Sequence, residues 1–73
     1  MELSHYLNSA ELLGCHGEVT HRLLLLPDGN VQVQIGSITA VIDPTRRKVM
    51  TPVGYQVPDQ VLDYACTLAR TGN

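Results

Sequence analysis

The sequence predicts a small α+β fold, in which an antiparallel four-stranded meander packs against an N-terminal and a C-terminal helix in the order α-β-β-β-β-α. Apolar residues recur every three or four positions near both ends of the chain, as in helices, and at alternate positions in its middle, as in strands. Turn signals separate the alternating segments, which is typical of hairpins. The chain has 73 residues without an internal repeat or a linker, so we expect a single domain over residues 1–73.

The first predicted element is a helix over residues 3–13. Its apolar residues have the spacing that lines one face of a helix, and they are Leu3, Tyr6, Leu7, Ala10 and Leu13. Gly14 follows them, and glycine commonly ends a helix in the left-handed conformation. The letters "CHG" at 15–17 are then the connection to a strand.

A β-hairpin is predicted over residues 18–35. In its first strand the polar residues Glu18, Thr20 and Arg22 alternate with a second set on the drier side, which is Val19, His21, Leu23 and Leu25. The letters "PDG" follow, in which proline sets the first corner of a turn and glycine takes a positive φ at the exit. The return strand alternates again, with Val31, Val33 and Ile35 separated by glutamines.

Two more strands continue the meander. The letters "SITAVID" predict a third strand over residues 37–43, and "KVMT" predicts a fourth over residues 48–51. Asp43 and Pro44 favour a turn between them, because aspartate accepts backbone hydrogen bonds and proline fixes a corner. Pro52 ends the sheet, since it has no N–H to donate to a ladder.

A C-terminal helix is predicted over residues 58–70. Pro58 suits the first helical position, where no N–H is missed, and Asp59 lies favourably near the positive end of the helix dipole. The apolar stripe consists of Val61, Leu62, Ala65, Leu68 and Ala69. The residues alone leave open whether the two helices cover one face of the sheet or both.

Composition argues against several classes of protein. Seven acidic and five basic residues give a net charge of −2, which argues against a general binder of nucleic acid or membrane surfaces. The sequence lacks a secretory signal and any run of about 18 apolar residues, so we expect a cytoplasmic protein with no membrane contact. Cys15 and Cys66 are then expected to be reduced thiols.

An apolar surplus is the main candidate interaction site. The run "LLLL" at 23–26 places leucine on both sides of the first hairpin strand, and the residues expected on the second face are Leu24, Leu26, Val41 and Met50. Either the two helices cover opposite faces, or this patch contacts another copy or another protein. A monomer with a few tolerated surface leucines is the third interpretation.

The turn "TRRK" at 45–48 holds Arg46, Arg47 and Lys48, three of the five basic residues. If these residues project together from a hairpin tip, they are suited to contact phosphates or an acidic protein surface. A solvated turn explains the same composition, since charged residues are common there.

No metal, cofactor or catalytic site is expected. His5, Cys15, His16 and His21 are close in sequence, but an extended strand advances about 3.3 Å per residue and so separates them. No phosphate-binding glycine loop and no nucleophile-and-base pattern is recognisable.

These observations favour a non-enzymatic interaction or regulatory module. We expect a homodimer that binds another protein through its apolar face. One alternative is a nucleic-acid-associated regulator that uses the basic tip at 45–48. The other alternative is a small thiol or histidine enzyme centred on Cys15 and His21.

Overall fold

The structure is a computed structural model that describes residues 2–5 and 8–71, with side chains from residue 8 onward. Within those residues, six strands and one helix follow one another: β1 (Glu2–His5), β2 (Ser9–Leu13), β3 (Val19–Leu25), β4 (Val31–Ile35), β5 (Ile38–Asp43), β6 (Lys48–Thr51) and α1 (Asp59–Thr71). Each strand pairs antiparallel with the next one, so the sheet order is β1-β2-β3-β4-β5-β6. The antiparallel meander, its four predicted strands and the C-terminal helix are confirmed. The sheet has six strands rather than four.

The predicted N-terminal helix over residues 3–13 is wrong, because β1 and β2 are found there as an antiparallel pair. In β2, Ala10 and Leu12 are buried and Glu11 between them is more exposed, which is the alternation of a strand. Pairing of β2 with β3 over five positions outweighs the helical spacing of the apolar residues. Tyr6 and Leu7, two members of the predicted helical face, lie outside the described residues.

The hairpin between β3 and β4 closes as its sequence predicts. The Leu26 amide donates to the Asn30 carbonyl at 2.8 Å, and the Gly29 amide donates to the Leu26 carbonyl at 3.0 Å. Asp28 accepts a hydrogen bond from the Asn30 amide at 3.0 Å through its carboxylate. Gly29 has a φ of 93°, a conformation that glycine adopts without a steric cost.

Helix α1 covers one face of the sheet, which we call the inner face; the opposite one is the outer face. The fully buried side chains form one core between helix and sheet, and they are Ala10, Leu12, Leu23, Val31, Val33, Ala40, Ile42, Val61, Ala65 and Leu68. No polar side chain is buried among the residues that the structure describes. The domain therefore has two layers. In the part of the chain described, no helix is both long and apolar enough to cross a membrane.

Replacement of Leu12 by alanine tests the position of β2 in this core. Leu12 has no exposed surface, so Leu12→Ala should lower the free energy of unfolding by about 2–5 kcal/mol in a urea titration. Val53→Ala is the control, because Val53 is 94% exposed and its truncation should change stability by less than about 0.5 kcal/mol. A Leu12→Ala loss as small as that of the control would contradict the described packing.

Candidate interaction surface

The outer face of the sheet carries a row of side chains that α1 does not cover. Cross-strand pairing aligns Leu24 with Gln32, Gln32 with Val41, and Val41 with Thr51, so these positions form one row over β3 to β6. Leu24 is 44% exposed and Val41 is half-buried. Leucine and valine therefore lie in the same row, with the stem of a glutamine between them.

A β-bulge at Met50 interrupts the pairing of the edge strand β6 with β5. Val49 pairs with Ile42 and Thr51 pairs with Val41, so Met50 is one extra residue that β5 does not match. The bulge also shifts Thr51 onto the side of Val41, whereas strict alternation places it with Val49. Met50 is 45% exposed at the border of the sheet.

Of the four predicted apolar residues, three lie on the outer row or at its edge and one does not. Leu26 follows the last residue of β3 and belongs to the turn, where it is half-buried. The structure thus brings Leu24 and Val41 together, adds Met50 at the margin, and leaves Leu26 in the hairpin turn.

A charged row lies beside the apolar one. Glu11, Arg22, Gln34 and Thr39 are aligned by cross-strand pairing, and the Arg22 Nε lies 3.4 Å from Glu11 Oε2. The ion pair is partly in water, with 64% of the arginine side chain exposed, so we expect it to contribute at most about 1 kcal/mol. Sequence reasoning missed this pair because it assigned Glu11 to a helix. A shallow hollow of about 260 Å³ lies between the two rows.

The predicted basic tip is only partly free to act as a cationic patch. The Arg47 Nη2 donates to Asp63 on α1 at 2.7 Å, and Arg47 Nη1 lies 3.5 Å from Cys66 Sγ. The Cys66 thiol donates to the Pro44 carbonyl at 3.2 Å. The hydrogen bond that Arg47 donates to the Asp63 carboxylate raises the pKa of Arg47, which stays charged. Arg47 therefore ties the β5–β6 turn to the helix rather than projecting from it.

The other two basic residues differ from each other. The Arg46 Nε lies 3.7 Å from Asp43 Oδ2. Lys48 is exposed and forms no ion pair with any residue that the structure describes. Lys48 nevertheless lies opposite Asp43 in the ladder, so all three cations have a carboxylate nearby, which lowers the local positive charge.

The segment with the thiol and the imidazoles forms a tight turn between β2 and β3. The Gly17 amide donates to the Gly14 carbonyl at 3.0 Å, and the His16 amide donates to Glu18 Oε2 at 3.0 Å. Cys15 is exposed in this turn, and both it and Cys66 are free thiols. Among the residues described, no group of three or more histidine, cysteine or acidic side chains is placed to hold a metal ion.

His21 lies on the inner face, where it pairs with Leu12 across the strands and is half-buried. The Thr20 hydroxyl donates to the Leu12 carbonyl at 3.0 Å, and the same hydroxyl oxygen lies 3.0 Å from His21 Nδ1. A hydroxyl that gives its proton to a carbonyl accepts from Nδ1–H, so this nitrogen carries the proton. Partial burial lowers the pKa of His21.

Comparison with protein-family models, with curated proteins and with solved structures finds no match to this chain. The functional argument therefore depends on the surfaces described above.

The lowered pKa of His21 predicts a pH dependence of stability. Because the unfolded chain binds the proton more readily, the free energy of unfolding should fall as the pH drops below about 7 and level off below the folded pKa. His21→Gln should remove this part of the dependence when urea titrations at pH 7.5 and pH 5.5 are compared. His16→Gln is the control, because His16 is exposed in the turn. Equal pH dependence in wild type and His21→Gln would contradict the assignment.

The contact between Arg47 and Asp63 predicts a local effect. Asp63→Asn should accelerate amide hydrogen exchange in residues 45–48, because the turn loses its ion pair with α1. Global stability should change by less than about 1 kcal/mol, since both groups are exposed. Asp59→Asn, in the first turn of the same helix, is the matched control and should leave exchange at residues 45–48 unchanged.

Proposed function

We propose that this protein is a non-enzymatic interaction module that forms a homodimer and binds another protein. The observation that carries the proposal is the uncovered outer face, where Leu24, Val41 and Met50 contact water while the one described helix covers the inner face. Exposed apolar side chains on a flat sheet are typical of an interaction surface. We propose the cytoplasm as its compartment, and this proposal rests on the sequence alone.

The dimensions of the domain favour contact through this broad face. The principal extents are 31 × 27 × 19 Å, and six strands spaced about 4.8 Å apart give the sheet a width of about 24 Å. A standard interface buries about 800 Å² per partner, which a face of this breadth has room for and the narrow sides do not. Burial of about 400 Å² of apolar surface is worth about 10 kcal/mol before the cost of association.

The two alternatives have less support. Arg46 and Arg47 lie against carboxylates, so Lys48 is the cation best placed to meet a phosphate, and one contact gives weak binding to nucleic acid. Cys15 forms no hydrogen bond with a histidine in the described part of the chain, whereas a nucleophile needs a base within reach.

Replacement of Leu24 by arginine tests the homodimer. Size-exclusion chromatography with light scattering should give a dimer mass for the wild type and a monomer mass for Leu24→Arg, because a buried charge without a partner opposes association. Val53→Arg is the matched control: Val53 is 94% exposed in the segment after β6, and its variant should remain a dimer. A wild-type monomer at several hundred micromolar would overturn the homodimer.

A further inference from the structure

Strand β6 lies at an edge of the sheet, with β5 on one side and no strand of the described chain on the other. Residues 52–57 follow it, and their one backbone hydrogen bond outside regular elements joins the Tyr55 amide to the Pro52 carbonyl at 3.1 Å. No described backbone group pairs with the free edge of β6. An edge of this kind presents N–H and C=O groups on which an extended chain can pair.

A groove lies beside this edge. It has a volume of about 360 Å³ and runs between β6, residues 54–57 and the start of α1. Its apolar lining comes from Val49, Val57 and Leu62, three half-buried residues that pack against the core. The volume falls within the usual range of about 300–1,000 Å³ for ligand sites, and it accommodates one apolar side chain of a bound segment.

Charge identifies the kind of segment that fits. Lys48 lies at the rim of the groove and forms no ion pair with a described residue. The carboxylate of Asp43, its cross-strand neighbour, lies 3.7 Å from Arg46, and Arg47 is held by Asp63. Asp59 also lines the groove, at the start of α1. The letters "KVMT" of β6 contain no acidic residue, so pairing with the β6 edge of a second copy supplies no partner for this lysine. An extended segment that carries its own carboxylate supplies a partner for Lys48.

We propose that the free edge of β6 and this groove bind an extended segment of another protein, in which an apolar residue and an acidic residue are adjacent. Residues directly opposite in a sheet share a face, so the apolar side chain lies over Val49 in the groove and the acidic one lies opposite Lys48. Because β6 has four residues, the paired part of the segment is short. This inference rests on the proposed function, since it assigns the site at which the module binds its second protein.

The probe is a six-residue peptide with blocked ends, in which Val-Glu is flanked on each side by two threonines. Titration of the full chain, followed by backbone amide NMR, should shift the resonances of residues 48–51 and 55–57. The same peptide with methylated backbone nitrogens should not bind, because it has lost its donors. Failure to shift residues 48–51 at millimolar peptide, or shifts confined to β2 and β3, would overturn the proposal.

A charge exchange tests the role of Lys48. Lys48→Glu should weaken binding of the Val-Glu peptide about twofold to fivefold, and a Val-Lys peptide should restore it. Arg70→Glu, in the last turn of α1 and outside the groove lining, is the control and should leave the preference for glutamate unchanged. Equal affinity of Lys48→Glu for both peptides would contradict the assignment.

The homodimer and the peptide-binding groove are tested independently. Light scattering reports the mass of the protein, whereas the NMR titration reports binding of the peptide at β6. A monomer that binds the peptide overturns the homodimer and supports the groove. A dimer that shows no shift at residues 48–51 supports the homodimer and overturns the groove.

Discussion

The packing of α1 against the inner face of the sheet is the contact on which the rest of the structure depends. Val61, Ala65 and Leu68 are buried against residues from four strands, and no other described element shields those strands from water. A chain of this length buries only about 60% of the surface that it exposes when unfolded. One helix is therefore both necessary for the core and insufficient to cover the sheet.

This asymmetry shapes the remaining surfaces. The inner face receives the helix and holds it through the Arg47–Asp63 ion pair and the Cys66 thiol, which link α1 to the β5–β6 turn. The outer face has no such cover and places an apolar row beside a charged one. At the margin, β6 combines an unpaired edge with an adjoining groove. The position of α1 on one face therefore determines which surfaces of the sheet are covered and which are exposed.

Local patterns predicted the central hairpin and the C-terminal helix, because the hairpin has a clear turn motif between its strands and the helix has one apolar stripe. They failed at the start of the chain, where Ala10 and Leu13 fit a helical spacing while Ala10 and Leu12 fit an alternating one. Pairing with β3 distinguishes the two, and it is a long-range contact that a local pattern does not contain. The candidate apolar face was predictable in outline. The contact between Arg47 and Asp63 was not, since Arg47 has a φ of 54°, in a region that sequence rules assign to glycine.

The position of α1 in the chain has a consequence for biosynthesis. Every strand pairs with its immediate neighbour in sequence, so hairpins can form one after another as the polypeptide leaves the ribosome. The helix emerges after all of them. Until it docks, the apolar side chains of the inner face stay in contact with water, which makes the nascent meander prone to aggregation.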